Sequence, residues 1–237
     1  MAPSKSDQIR RMFSAIAPRY DLLNHLLSAN IDRIWRKHAV SLLKPELSGP
    51  SKRLCLDLCT GTGDLAISLA RLTDLQVLAC DFSHPMLEIN RQKLIRKSLA
   101  SRVFLAEADA LCLPVPSDRF DAVTIAFGLR NLENLQAGLI EMRRVLKTGG
   151  SVLILEFSKP AHAWLGQLFD FYFFRVLPRV GNAVSRHNNA YTYLPESVKT
   201  FPDQRELAEI IRACGFEQVR YQNLTGGIAA IHIARKR

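Results

Sequence analysis

A doubly wound α/β fold follows from three features of the sequence, with a seven-stranded, mostly parallel sheet, an antiparallel last strand and an N-terminal helical cap. An apolar run, Leu54-Cys55-Leu56-Asp57-Leu58, passes straight into Cys59-Thr60-Gly61-Thr62-Gly63 and then into a helical pattern opening at Asp64. Short apolar runs then alternate with amphipathic segments along the next hundred residues or so. Near the end, Gly226-Gly227 joins two further strand-like runs, as a hairpin turn would.

Residues 5 to 45 read as the cap. Ile9, Met12, Phe13 and Ile16 share one helical face and Leu22, Leu23, Leu26 and Leu27 another, with Pro18 interrupting the two. Pro45 and Ser48-Gly49-Pro50-Ser51 end the cap and lead into the first core strand. Strands are expected at 54–58, 77–80, 103–106, 122–126 and 152–155, runs with the little alternation of strands buried on both faces. Helices fall at 64–72, 84–98 and 133–146, the last closed by Thr148-Gly149-Gly150. An insertion at 160–200 differs from the rest. It opens with a heavily aromatic helix at 164–177, and a turn-rich segment from Pro178 to Pro195 then carries Arg186, His187, Asn188, Asn189, Tyr191 and Tyr193. A helix near 203–214 and strands near 216–223 and 228–234 complete the sheet. The whole chain, 1–237, reads as one domain: cap 1–50, core 51–159, insertion 160–200, closing elements 201–237.

With 237 residues, 48% of them hydrophobic and 23% charged, the chain suffices for one α/β domain with a sizeable core. Five cysteines without a Cys-x-x-Cys pair argue for reduced thiols in a cytoplasmic setting. Cys55, Cys59, Cys80 and Cys214 fall in apolar strands or at a helix end and read as core. The N-terminus lacks a secretory pattern, and no run of about 18 apolar residues offers a membrane span, so a soluble protein is expected. A net charge of +10 favours anionic surroundings, either nucleic acid or the inner membrane face, or is a solvated basic surface.

Gly61 and Gly63 permit a tight strand-to-helix turn whose unpaired N–H groups face a nucleotide-sized gap. Gly61-x-Gly63-x-x-Ala66, with Asp81 about twenty residues on, also fits a dinucleotide fingerprint. Charge separates the readings. A pyrophosphate wants the helix N-terminus free of anions, whereas Asp57 and Asp64 put two carboxylates beside it. Those acids suit a cationic ligand, and S-adenosylmethionine, with its sulfonium and ammonium, is favoured over NAD(P). Asp81 suits a ribose diol, because a carboxylate accepts from both hydroxyls; its rival reading as a helix cap is better filled by Ser83. Asp109-Ala110, after the third strand, suits an adenine edge. At the end of the fourth strand, Phe127-Gly128-Leu129-Arg130-Asn131 stands where such sheets present residues to a ligand. Arg130 is placed to orient a phenolate-like oxygen or to polarise a water, and Asn131 reads first as the cap of the next helix or else as a holder of that water. An Asn-or-Asp-Pro-Pro-aromatic motif, expected of nucleic-acid amino-methyltransferases, is absent, as is the Tyr-x-x-x-Lys pair of many NAD(P) reductases.

Motifs along nearly the whole chain resemble the quinone-pathway C-methyltransferases, which methylate demethylmenaquinol or a polyprenyl benzoquinol. They are Met12-Phe13, Ala17-Pro18-Arg19-Tyr20-Asp21, Asp32-Arg33-Ile34-Trp35-Arg36, the Gly61-Thr62-Gly63-Asp64 loop, Phe127 to Asn131, Leu155 to Pro160, Tyr191 to Ser197, and Asn223 to Ala229 with His232. The resemblance implies a Rossmann-like methyltransferase fold, S-adenosylmethionine as cofactor and a prenylated quinol as substrate. It implies cofactor contacts at Thr62, Asp81, Asp109 and Ala110, which Gly61, Gly63, Asp57 and Tyr20 join on the local reading. Ala126 departs from the serine of some members, and Cys59 and Thr60 stand where many methyltransferases carry small or glycine residues. Arg130 with a bound water is the implied stabiliser of the phenolate; His187, Tyr191 and Tyr193 are alternatives that read first as packing or surface residues. Phe13 and Tyr20 are expected to close over the cofactor. The aromatic helix at 164–177 is expected to guide a prenyl tail and to touch the inner membrane face. Demethylmenaquinol is favoured over the benzoquinol as head group. A nucleic-acid methyltransferase, an NAD(P) reductase and a catalytically silent S-adenosylmethionine-binding protein are the rivals. No metal and no nucleic-acid partner are expected, and the oligomeric state is not legible.

Overall fold

In the computed structural model, residues 5–28, 30–47, 53–72, 74–160, 166, 167, 171, 175 and 190–237 are described. Helices α1 (Lys5–Leu27) and α2 (Ile31–Leu43) form the cap. The core then runs β1 (Leu54–Leu58), α3 (Asp64–Leu72), β2 (Gln76–Asp81), α4 (His84–Arg96), β3 (Val103–Glu107), β4 (Phe120–Ala126), α5 (Leu135–Val145) and β5 (Leu146–Phe157). After the insertion come α6 (Ala190–Thr200), α7 (Gln204–Ala213), β6 (Phe216–Leu224) and β7 (Ala229–Lys236).

One seven-stranded sheet has the order β3-β2-β1-β4-β5-β7-β6. β1 to β5 are parallel, and β7 runs antiparallel to both β5 and β6. Successive residues of a strand face opposite sides, so β1 divides its apolar side chains between two cores. Cys55 packs with Val77, Ala122, Leu153 and the buried faces of α2 and α3. Leu56 and Leu58 pack on the other side with Val123, Ile154 and the faces of α5 and α7. That burial on both faces is why the strands read as near-continuous apolar runs.

Three boundaries differ from the sequence expectation. Pro18 lies inside α1, and the cap breaks instead beside Asn30, whose φ of +61° reverses the chain. A mid-helix proline costs roughly 3 kcal/mol, and burial of Ile9, Ile16 and Ala17 on the core side offsets it. Thr148-Gly149-Gly150 does not close α5; the helix stops at Val145, and residues 147–150 bulge within β5 opposite Asp121. Residues 190–195, expected as turn, begin α6, with Pro195 inside it.

The aromatic helix at 164–177 and Arg186, His187, Asn188 and Asn189 lie outside the described residues, apart from Gly166, Gln167, Phe171 and Arg175, of which Phe171 and Arg175 are exposed. The side chain of Tyr191 is likewise not described. Among the described residues no helix is long and apolar enough to cross a membrane. The tail residue His232 is buried in β7 between Ile154 of β5 and Tyr221 of β6, with Nε2 at 2.8 Å from the Gln204 carbonyl.

Candidate functional site

The strand order reverses between β1 and β4, and a doubly wound sheet opens its ligand crevice at that switch, beyond the carboxyl ends of the strands. Both strands end there in strained backbone: Cys59 after β1 has φ of +49° and Phe127 after β4 has φ of +57°. A bulky residue in the left-handed region persists only where the surroundings over-determine it, and such strain gathers at ligand sites. Phe127 is held by Phe157 at 4.9 Å between ring centroids and by Trp35 at 6.2 Å.

A cleft of about 750 Å³, its open mouth included, lies at this point. Asp81, Asp109, Ala110, Gly61, Phe13 and Tyr20 all line it, so six residues singled out in the sequence converge on one space. Asp81, at the end of β2, accepts from the Gly61 N–H at 2.8 Å and the Ser83 N–H at 2.9 Å. Each carboxylate oxygen keeps a lone pair for a further donor. Asp109 accepts from the Leu111 N–H at 2.9 Å, which fixes its loop while its side chain stays exposed. Ser83 stands at the start of α4 but does not cap it through its hydroxyl; that oxygen pairs with Ser14 of α1 at 2.9 Å and draws the cap down over the cleft. Cys59 and Cys80 also line the cleft, so the core reading holds for Cys55 and only in part for these two.

A second recess of about 340 Å³ continues past Gly61, lined by Asp57, Thr60, Thr62, Asp64, Arg36 and Tyr20 among others. Asp57 accepts from Thr60 at 2.6 Å and Thr124 at 2.7 Å, yet burial raises its carboxyl to about 6. Burial likewise raises Asp81 to about 6, against the backbone donors of Ser83 and Gly61. Burial also acts upward on Asp64, but Arg36 and Lys93 together hold it below the ordinary carboxylate range. The expected pair of bare acids is therefore corrected. Lys93 of α4 reaches Asp64 at 2.6 Å, Asp21 at 2.8 Å and Thr62 at 3.3 Å, and Thr62 donates to Asp21. Asp21, His25 and Asp64 form the one described group that could hold a metal ion, and the Lys93 ammonium already bridges its two carboxylates.

A third space, about 620 Å³, adjoins the cleft through Phe13, Tyr20 and Phe127 and is lined further by Met12, Arg36, Arg130, Phe157 and Tyr193. The Arg130 side chain is 7% exposed there. Its Nη1 donates to Glu156 at 2.7 Å and the Phe127 carbonyl at 2.6 Å, its Nε donates to Ser197 at 3.3 Å, and its guanidinium lies 5.4 Å from the Phe157 ring centroid. Among the described residues Nη2 has no partner. Asn131 does not cap the next helix; Asn134 does, accepting from the Ala137 N–H at 2.9 Å. Asn131 instead accepts from the Tyr193 hydroxyl at 3.0 Å and lines the cleft. Burial raises the phenols of both Tyr20 and Tyr193 while Arg130 draws them down.

Sequence reasoning missed Lys93, Glu156 and the site role of Arg36. For Arg36 a signal existed: it shares the stripe Asp32, Trp35, Arg36, Ala39, Val40, Leu43, the buried side of α2, where a cation needs a reason. For Lys93 and Glu156 no local pattern pointed inward.

A family model, the ubiE/COQ5 methyltransferase family, matches residues 1–236. The chain is 47% identical over 234 residues to a demethylmenaquinone methyltransferase of Deinococcus radiodurans, covering 98% of this chain and 94% of that one. It is 42% identical over 239 residues to a ubiquinone/menaquinone biosynthesis C-methyltransferase UbiE of Teredinibacter turnerae, covering 99% and 94%. Among solved structures, the [4+2]-cyclase SpnF superposes with a TM-score of 0.72 at 18% identity, covering 99% of this chain and 97% of that one. A S-adenosylmethionine-dependent methyltransferase of Thermotoga maritima superposes with 0.67 at 18%, covering 96% and 99%. At that identity the structural likenesses speak for the fold alone.

Proposed function

This chain belongs to the ubiE/COQ5 methyltransferase family, and from that premise we propose that it methylates a ring carbon of demethylmenaquinol to give menaquinol. It is a S-adenosylmethionine-dependent methyltransferase of the quinone pathways. The observation that carries the substrate reading is the third space: an aromatic chamber that shares Phe13, Tyr20 and Phe127 with the cleft and is lined by two arginines, Arg36 and Arg130. Similarity to a demethylmenaquinone methyltransferase at 47% identity favours the naphthoquinol; a 2-methoxy-6-polyprenyl-benzoquinol is the second reading, from the relative named for both pathways.

The residues of the cleft fit the cofactor. Asp81 offers acceptors for a ribose diol, and Asp109-Ala110 line the same cleft for a base. When bound, S-adenosylmethionine supplies an electrophilic methyl on its sulfonium. A quinol ring attacks through carbon only as its hydroxyl loses a proton, and the quinone form has no such nucleophilic carbon. An arginine keeps its charge and makes a poor base, so Arg130 serves by lowering the phenol's pKa and holding the phenolate oxygen through Nη2. Glu156 and the Phe127 carbonyl fix the guanidinium beforehand, so little reorganisation remains. Asn131 and Tyr193 form a polar pair beside it. Phe13 and Tyr20, edge to face at 5.9 Å, shield the junction of the two spaces from water.

Methyl transfer from labelled S-adenosylmethionine to chemically reduced demethylmenaquinol and to the reduced benzoquinol tests the reading. Product from the naphthoquinol is expected; product from the benzoquinol alone would reassign the pathway, and product from neither would reject the substrate class.

The raised carboxyls make cofactor affinity depend on pH. Asp57 and Asp81 bind protons more tightly folded than unfolded, so their ionisation costs stability above about pH 6 and that cost is relieved as pH falls toward 4. Affinity runs the other way, since a neutral Asp57 no longer attracts an ammonium. Below about pH 6 the dissociation constant of S-adenosylmethionine should rise up to tenfold per unit for each proton taken up. Calorimetry between about pH 5 and 7.5 should show that rise; a flat profile would remove both carboxylates from the binding reaction.

A prenyl tail must leave the chamber toward lipid, and we extend the proposal to peripheral contact with the inner membrane face through segment 164–177, where Phe171 and Arg175 are exposed. Changing the segment's aromatics to serine should release the protein from vesicles containing anionic lipid; undiminished binding would place the contact elsewhere.

A further inference from the structure

We infer that Arg36 is the cofactor's carboxylate clamp and that, with Asp57, it makes the second recess a receptor for the α-amino-acid zwitterion of S-adenosylmethionine. The inference rests on the cofactor reading and goes beyond it to a residue and a chemical group. The adenosyl half belongs in the cleft, because Asp81 and Asp109-Ala110 line that space. The methionyl half then has the recess beyond Gly61, which shares Tyr20, Cys59, Gly61 and Ala126 with the cleft.

Two acids and one cation line that recess: Asp57, Asp64 and Arg36. Asp64 is engaged by Lys93 at 2.6 Å and by His25 Nε2 at 3.4 Å, and Lys93, itself outside the lining, is spent on Asp64, Asp21 and Thr62. What remains facing a ligand is one carboxylate and one guanidinium, the complement of an ammonium and a carboxylate. Arg36 is 8% exposed, and its Nη1 bonds Asp32 of the preceding turn. Among the described residues its Nε and Nη2 have no hydrogen-bond partner. Its guanidinium lies 5.3 Å from the Phe127 ring centroid, so the charge is held from one side by an aromatic face and from another by Asp32. A buried arginine with donors left over is preorganised for a bidentate anion. α2 thereby ties the cap to the cofactor's charged end.

Binding of three probes by calorimetry tests this: S-adenosylmethionine, S-adenosylhomocysteine, which keeps the carboxylate but has no sulfonium, and decarboxylated S-adenosylmethionine. Arg36→Met should weaken the first two by about 10- to 100-fold, the usual worth of a charge-assisted hydrogen bond, and the third by less than about threefold. Arg36→Lys should recover part of the loss, since an ammonium keeps the charge without the fork. Asp32→Asn with Arg36→Met repeats the measurement in a variant that leaves no buried charge alone. Equal losses for all three probes in both variants would overturn the inference and make Arg36 a packing residue. Failure of the unsubstituted protein to bind any probe would instead overturn the cofactor reading, a separate outcome.

Discussion

Arg130→Met is expected to lower methyl transfer by about 10²–10³-fold, the cost of removing one preorganised stabiliser of a developing oxyanion. It should also cost about 3–5 kcal/mol of folding stability, because Glu156 is 1% exposed and would be left as a buried, uncompensated charge. The two effects separate in a second variant. Glu156 accepts not only from the Arg130 side chain but from the backbone N–H of Arg130 at 3.3 Å and of Phe157 at 2.9 Å. Glu156→Gln removes the charge and keeps one oxygen, enough for one of the two backbone donors, so Arg130→Met with Glu156→Gln should regain part of the stability and none of the activity. Denaturant unfolding and single-turnover methyl transfer measure the two quantities. Activity returning with stability would reduce Arg130 to a structural residue. Cofactor affinity should stay within about threefold in both variants, because the arginine lines the third space and not the cleft.

Gly63→Ala is expected to destabilise by about 2–4 kcal/mol and to abolish measurable cofactor binding, as overpacking and a left-handed alanine add. Gly63 has φ of +88°, and a Cβ there would lie 2.1 Å from Oδ1 of Asn90, a fully buried side chain that cannot swing into solvent. Neither polar atom of that amide has a partner among the described residues, so Asn90→Ala sacrifices no hydrogen bond found there. The double variant should regain the steric part and leave about 1 kcal/mol for backbone conformation. Gly61→Ala is the contrast. There φ is +54°, but the nearest atom to a new Cβ is Tyr20 Cε1 at 3.9 Å, an ordinary contact, so only the conformational cost of about 1 kcal/mol is due. A thermal melt of the four proteins, with calorimetry for S-adenosylmethionine, decides it: equal losses at Gly61 and Gly63 would mean that the amide of Asn90 yields.

These expectations differ in how far the sequence foresaw them. The glycine loop, Asp81 and Asp109-Ala110 were legible because each is tied to the end of a strand, and strands buried on both faces announce themselves as short apolar runs. β1 at Leu54–Leu58 and α3 at Asp64–Leu72 fall where the pattern put them. Boundaries set by longer-range packing did not: Pro18 was read as a break because the cost of a proline is local, while the burial that offsets it comes from the core. Ser83 and Asn131 were assigned caps by the same local logic, and each hydroxyl or amide found a partner from a distant element instead, Ser14 and Tyr193.

By itself the sequence determined the doubly wound class, the position of the glycine turn, the acids at the strand ends and, through motifs along nearly the whole chain, the family. All of these are written within a few residues, in periodicity, turn chemistry or contiguous motif. Only the tertiary structure decided which charges remain available to a ligand. Lys93 lies 72 residues from Asp21 and 29 from Asp64, and Arg130 lies 26 from Glu156. Whether a buried charge is spent on a neighbour or left facing a cavity depends on elements brought together by folding, and no local period carries that information.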